Sequence, residues 1–406
     1  MTVQRTRRLG VAVFLTALGT RLVGVGITTV TSLNPYETAD AGSFAASAAE
    51  TAAGLASGTL PHVPTNPNRI TTLWGLLLSP LWLLPGPNRL YGRLFAALLG
   101  TLAIYGVYRL AGALHSREAG VVAALPLVCY PSVVFTHSTV LRESFVLAGL
   151  VWATLILSGA VSVPAWLPNA AGPAWLPGAL VRHVTGVAIL ALISIVRWEN
   201  LPLYALAIGT GVAIGYRAHF TRIRIAVAAG IAALGGLTIG RPFVQSALDF
   251  LVVKRDRRSE GRTMYLPEFR PDTIPKAVAF APIGAVYFLF TPFPWMVETV
   301  ADAVVFPQAV GNLVAARFAV AGVPVLWRRS ERTTGALVVA FLCGTMLYGL
   351  VNANVGTNVR QRQMFLWVLF LFAGVGVAGA VAGEDAAMAT TTWENVTITQ
   401  EYRLQP

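Results

Sequence analysis

Apolar runs long enough to cross a membrane recur along this chain, and short Arg-bearing breaks separate them. A soluble fold has too little interior for such runs. Of the 406 residues, 55% are hydrophobic and only 12% are charged, about half the charged share of soluble domains. A polytopic membrane protein is the class that fits. The expected spans are 9–31, 90–113, 119–136, 143–163, 184–196, 201–216, 223–240, 308–327, 334–351 and 364–383. Residues 70–85 and 277–295 are also apolar. Pro80, Pro85, Pro282, Pro292 and Pro294 interrupt them, and both are short against the roughly 20 residues of a span. They are expected as juxtamembrane or re-entrant helices on the outer face. The expected fold is therefore an all-α membrane helix bundle of about ten spans plus outer juxtamembrane helices. The membrane domain covers 1–383, with outer loops over 32–89 and 241–307. The polar tail 384–406 is expected to be cytoplasmic and to have little structure.

Charge sets the orientation. The formal net charge is +12, and the only lysines are Lys254 and Lys276. In a soluble protein this balance suggests nucleic acid. Between apolar spans, arginines set topology or meet anionic lipid headgroups instead, so membrane lipids are expected as partners and nucleic acid is not. Arg5, Arg7 and Arg8 precede the first run, which is too long for a signal-peptide core and is followed by no convincing cleavage site. It reads as a retained span with the N-terminus in the cytoplasm and Asp40 outside. The inward loops then carry Arg109 and Arg117, then Arg182, then Arg217, Arg222 and Arg224, then Arg328, Arg329 and Arg332. This is the cytoplasmic excess of the positive-inside rule, and it places both termini inside. Arg255, Arg257, Arg258 and Arg262 break the rule in one outer segment, as Arg360 and Arg362 do in another. Cations on the wrong side call for another explanation, such as an anionic ligand.

Several chemistries find no support. Cys129 and Cys343 lie inside apolar runs, as small core residues do. His62, His115, His137, His183 and His219 are scattered and form no metal-ligand spacing. There is no phosphate loop and no Gly-x-Ser-x-Gly.

Five outer segments hold the candidate functional residues. The segment Asp40-Ala-Gly-Ser-Phe44 begins a helical pattern after the first span, with Asp40 in its first turn; a helix-capping role is the plainer alternative. Thr136-His137-Ser-Thr-Val-Leu-Arg142-Glu143 lies between two spans. Neighbouring helical residues diverge by about 100°, so Arg142 and Glu143 each need a partner elsewhere. Arg197-Trp-Glu199-Asn200 is a polar break in which Arg197 and Glu199 either pair together or face the same cavity. In Asn352-Ala-Asn-Val-Gly356-Thr-Asn-Val-Arg360-Gln-Arg362, two guanidinium groups at the outer boundary suit a phosphate. The run Lys254-Arg-Asp-Arg-Arg258 reads either as a solvated face or as a mobile loop contacting an anionic donor.

In order and sidedness these features resemble the GT-C membrane glycosyltransferases that use polyprenyl-phosphate sugars, of the protein O-mannosyltransferase and aminoarabinose transferase type. The resemblance covers roughly residues 9–216. It rests on the first span, the outer Asp40, an Ala/Gly-rich surface helix and the second span opening Asn88-Arg-Leu-Tyr-Gly-Arg93. The third span, carrying Pro131 and leading to Glu143, completes it. The resemblance implies a membrane glycosyltransferase of the cell envelope acting on the outer face. It would move a sugar from a polyprenyl- or dolichyl-phosphate donor to an acceptor hydroxyl, with inversion. Asp40 matches the catalytic base, although Ala41 stands where many members have an acidic residue. Glu143 matches the second acidic position. Arg93 matches the Arg near the outer start of the second span and is placed on the donor-phosphate side. Arg360 and Arg362, from their position, and Arg197 beside them are expected as further lipid-phosphate contacts, and His137, Arg142 and Glu199 are the candidates for the acceptor or loop side. A divalent cation (Mg or Mn) near Glu143 is left open. Two alternatives remain: a transporter or flippase of lipid-linked sugars, and a non-catalytic scaffold. Transit calls for charged groups at mid-membrane on broken helices, whereas the spans read as largely apolar at their centres.

Overall fold

The computed structural model describes residues 2–31, 39–59, 69–160, 178–217, 240–259 and 262–401. All of its regular elements are helical, and an isolated bridge between Met264 and Asn354 is the one strand-type pairing among the described residues. The helices begin with α1 (Thr2–Val30), α2 (Ala39–Ala56), α3 (Arg69–Trp82), α4 (Asn88–Leu114), α5 (Arg117–Cys129), α6 (Pro131–Thr136), α7 (Glu143–Leu157) and α8 (Gly178–Ser194). They continue with α9 (Leu201–Gly215), α10 (Gly240–Asp256), α11 (Ile274–Phe290), α12 (Val300–Arg329), α13 (Glu331–Val351), α14 (Val355–Gln361) and α15 (Gln363–Glu401).

Five described helices contain a stretch long and apolar enough to cross a membrane: Arg8–Val30, Asn88–Leu114, Val300–Arg329, Glu331–Val351 and Gln363–Ala382. The larger expected number of spans is not reproduced, and the reasons are local. Pro131 splits the run 119–136 into α5 and α6, because proline has no N–H to continue the ladder. The runs beginning at 143, 184 and 201 give helices of 15, 17 and 15 residues. Nearly all of the expected span 223–240 lies outside the described residues. The stretches 70–85 and 277–295 form the short helices α3 and α11, with Pro80 and Pro282 carried inside them. The tail corrects an expectation, since α15 continues as helix through Glu401.

The bundle is organised around α15, the most deeply buried of the five long helices. It packs on α12 and α5; α4 links α1, α5 and α7; α9 and α11 pack on α13; α2 packs on α3. Without water to expel, helices in lipid associate through close van der Waals contact between small residues. Gly322 and Gly376 show this reciprocally. A Cβ at Gly322 would strike the Phe372 carbonyl, and one at Gly376 would strike the Phe318 carbonyl. Gly284 and Gly349 bring α11 and α13 together backbone to backbone in the same way.

Two arginines lie inside spans expected to be apolar at their centres. Arg317 sits on the exposed side of α12. Arg21 is fully buried in α1. Its Nη2 donates to the Leu127 carbonyl at 2.6 Å, while Nη1 reaches Thr20 Oγ1 at 2.9 Å and the Ala17 carbonyl at 3.3 Å. The helical partner of the Leu127 carbonyl would be the N–H four residues on, and that residue is Pro131. Arg21 thus satisfies the acceptor that Pro131 leaves open, which apolar surroundings demand. Arg21→Leu should lower the stability of the detergent-solubilised protein by about 1–3 kcal/mol, the penalty of a buried unpaired acceptor. In a Pro131→Ala background, where an N–H is restored, the same substitution should lose clearly less. Equal losses in both backgrounds, measured by thermal unfolding, would contradict this pairing.

Candidate active site

Glu143 opens α7 with its side chain 2% exposed. A lone carboxylate so placed is strongly destabilising unless cations meet it. Two do. Arg197 Nη2 lies 2.9 Å from Glu143 Oε1, and Arg360 Nε lies 3.2 Å from the same oxygen. Arg360 then extends its Nη2 to Asp40 Oδ2 at 2.8 Å. Arg197, with no exposed surface, also faces Glu199 Oε1 at 3.6 Å. Asp40, Glu143, Arg197, Glu199 and Arg360, drawn from four separate segments, therefore form one connected ionic cluster. Asp40 keeps 53% of its side chain exposed, so the cluster is open at that carboxylate.

Local structure explains the convergence. In α2 the residues Ala41, Phe44, Ala48 and Ala52 are buried, the spacing of one helical face. Asp40 flanks that face. The α2–α3 pair sits on the segment before Glu143: Trp74 Nε1 donates to the Val140 carbonyl at 3.3 Å, and the Trp74 and Phe145 rings lie 5.4 Å apart. Arg142 points away from Glu143. Its Nη1 donates to the Val196 carbonyl at 2.8 Å, and its guanidinium lies 5.8 Å from the Phe44 ring centre. This ties α2, the start of α7 and the Arg197 turn together. On the other side, the Asn354 side chain caps α14 by accepting from Gly356 N at 2.8 Å and Thr357 N at 3.3 Å, which sets Arg360 in the last turn of that short helix.

The segment 241–276 divides by residue. Arg255 is 1% exposed and donates to the carbonyls of Phe269, Leu266, Leu350 and Asn352. It is a clamp on the approach to α14 rather than a donor contact. Arg262 pairs with Glu298 and Asp302. Arg258 borders the cluster: its Nη1 donates to the Asn352 and Gln361 side chains, and it shares a cavity wall with Glu199. Lys254, one turn earlier, lines with Arg258, Glu199, Trp198, Phe250 and Tyr348 a small cavity of about 70 Å³. The sequence signal for this pair was available, since Lys254 and Arg258 share a helical face in a segment that breaks the charge rule.

Arg197 and Arg360 meet three carboxylates, and Arg142 and Arg258 stand beside them on neutral partners, leaving an excess of positive charge. Burial, then the neighbouring Arg197, pushes Arg142 down to about 10. Burial opposes the charge of Arg197 too, but Tyr348, Glu143 and Glu199 outweigh it and hold Arg197 above its ordinary value. For Glu199, burial favours the neutral acid, yet Arg197 and Arg142 together hold the carboxyl below its usual range. Glu143 Oε2, Glu199 Oε2 and Arg197 Nε have no hydrogen-bond partner among the described residues.

Three expected site residues take other positions. Arg362 is 1% exposed and donates to the Leu289 and Thr291 carbonyls. Residues two apart on a helix diverge by about 200°, so an Arg-x-Arg pair there cannot present both groups to one ligand. Arg93 Nη1 bonds the Thr28 carbonyl and Thr29 Oγ1, both at 2.9 Å, fastening α4 to the end of α1. His137 is fully buried against Gly100, and both ring nitrogens lack partners among the described residues. A divalent cation does not fit the carboxylates as they stand. The Arg360 guanidinium occupies the space between Asp40 and Glu143, and no group of three or more potential metal ligands occurs among the described residues.

Fold and cluster together define an all-helical protein of membrane character with a mixed-charge site where α2, α7 and α14 meet. No family model, curated protein or solved structure matches the chain.

The depressed pKa of Glu199 has a testable sign. Its stabilising contribution is present above the ordinary Glu value of roughly 4.3 and is lost as pH falls through the lower folded value. The wild-type thermal midpoint should therefore drop on acidification below that value, and Glu199→Gln should drop less over the same window. Parallel curves would contradict the pairing.

Proposed function

We propose that this chain is a membrane glycosyltransferase that uses a polyprenyl- or dolichyl-phosphate sugar on the outer face of the membrane. The observation that carries the reading is Arg360 bridging Asp40 and Glu143. Residues assigned to base, second acid and donor side come from distant parts of the sequence and lie in one ionic cluster.

The chemistry follows from the roles. Asp40 is the exposed carboxylate, and it takes the proton of an acceptor hydroxyl as that oxygen attacks the anomeric carbon. The new C–O bond forms on the face opposite the bond to phosphate. That bond breaks with its electron pair leaving on the lipid phosphate, so the configuration inverts. Arg360 holds Asp40 and Glu143 in fixed relation, which is positioning. The excess positive charge of Arg360, Arg197 and Arg258 stabilises the departing phosphate. Lys254 borders the same region. Glu143 and Glu199 each keep one oxygen, Oε2, without a donor among the described residues, and these are suited to accept hydrogen bonds from sugar hydroxyls.

The transport alternative calls for charges in the bundle interior. Arg21 is such a charge, but it is engaged by the carbonyls of its own bundle, and that favours a structural role.

Asp40→Asn should leave the thermal midpoint near wild type and reduce transfer to membrane acceptors by about 10²–10⁴-fold, the usual contribution of a general base. Arg360→Ala should chiefly raise the donor concentration needed for half-maximal rate. Full transfer by Asp40→Asn would sink the assignment.

A further inference from the structure

Arg317 points away from the bundle at the middle of α12. The buried side of this helix carries Gln308, Asn312, Ala319, Gly322 and Leu326. The opposite stripe exposes Val310, Leu313, Val314 and Val320, and at 100° per residue Arg317 lies at the centre of that stripe. It makes no hydrogen bond, ion pair or ring contact among the described residues. Arg317 is 12 residues from Arg329, about 18 Å along the axis, and farther still from Val300. That is deeper than an arginine side chain can snorkel from either end.

A cation on the lipid side at mid-depth is strongly unfavourable alone, and such residues pair with a partner group. This chain offers none to another copy of itself. None of its 18 Asp and Glu residues falls midway along a stretch of membrane-crossing length, and a twofold contact at this face would oppose Arg317 to Arg317.

We propose that the Val310–Val320 face of α12 docks a membrane-spanning helix of a different protein, one that carries an Asp or Glu near its middle as the counter-ion of Arg317. The proposal rests on α12 crossing the membrane and is independent of the transferase reading. The stripe supplies apolar contact, and the ion pair supplies register and selectivity.

The test uses the full chain in its native membrane, with a photo-crosslinking amino acid at Leu313 or Val320. The expected result is one discrete protein adduct. Its mapped contact should lie in an apolar span of the partner, within about two helical turns of an Asp or Glu. Arg317→Leu and Arg317→Gln, checked to be folded by gel filtration, should reduce that adduct about tenfold or more, as loss of one member of a desolvated pair does. Arg317→Lys should retain it. Several outcomes would overturn the proposal: lipid adducts only, an adduct of two copies of this chain, a partner span without a carboxylate, or an adduct that both neutral variants leave unchanged. Because lipid is always within reach of both positions, absence of any protein adduct in a folded variant counts with these.

Discussion

The burial of Glu143 constrains everything around it. A carboxylate 2% exposed at the start of an apolar helix is tolerable only with cations at contact distance. Arg197 comes from the turn before α9 and Arg360 from α14. Because Arg360 also holds Asp40, the same requirement fixes the first turn of α2 over the cluster. Stability and the proposed chemistry therefore share their residues. The ion pairs that make Glu143 tolerable also bring the exposed carboxylate beside an excess of guanidinium groups.

The same rule governs the bundle. In apolar surroundings each polar group has to find its partner within the protein. Arg21 completes the Leu127 carbonyl that Pro131 leaves open, Arg93 binds the last turn of α1, and Arg255 gathers four carbonyls beneath α14. These buried arginines act as backbone clamps. They also account for part of the chain's basic charge without an external anion, which narrows the search for a ligand to the cluster that keeps an excess.

Much of this was legible in the residues, for identifiable reasons. Long apolar runs without proline, such as 90–113, 334–351 and 364–383, correspond to α4, α13 and α15, because length and composition alone specify them. The company of Asp40 is legible from the order of the loops. Side-chain direction is harder to read: Arg-x-Arg spacing suggests a pair, although helical geometry points Arg360 and Arg362 apart. The run 119–136 reads as one apolar span, although Pro131 within it lacks the N–H that would continue the ladder. Arg21 was lost inside a hydrophobic average, since its partner lies more than a hundred positions away. Arg258 reads in sequence as one member of a charge run, and the packing of α10 against α13 separates it from Arg255.

The most direct measurement of the central claim follows the donor itself. The purified protein is placed in proteoliposomes containing polyprenyl-phosphate hexoses, with hydroxyl acceptors offered on the face that carries Asp40. The account predicts release of free polyprenyl phosphate, matched by acceptor glycosylated with inverted anomeric configuration. Donor that crosses the bilayer chemically intact, with no polyprenyl phosphate released, would contradict it.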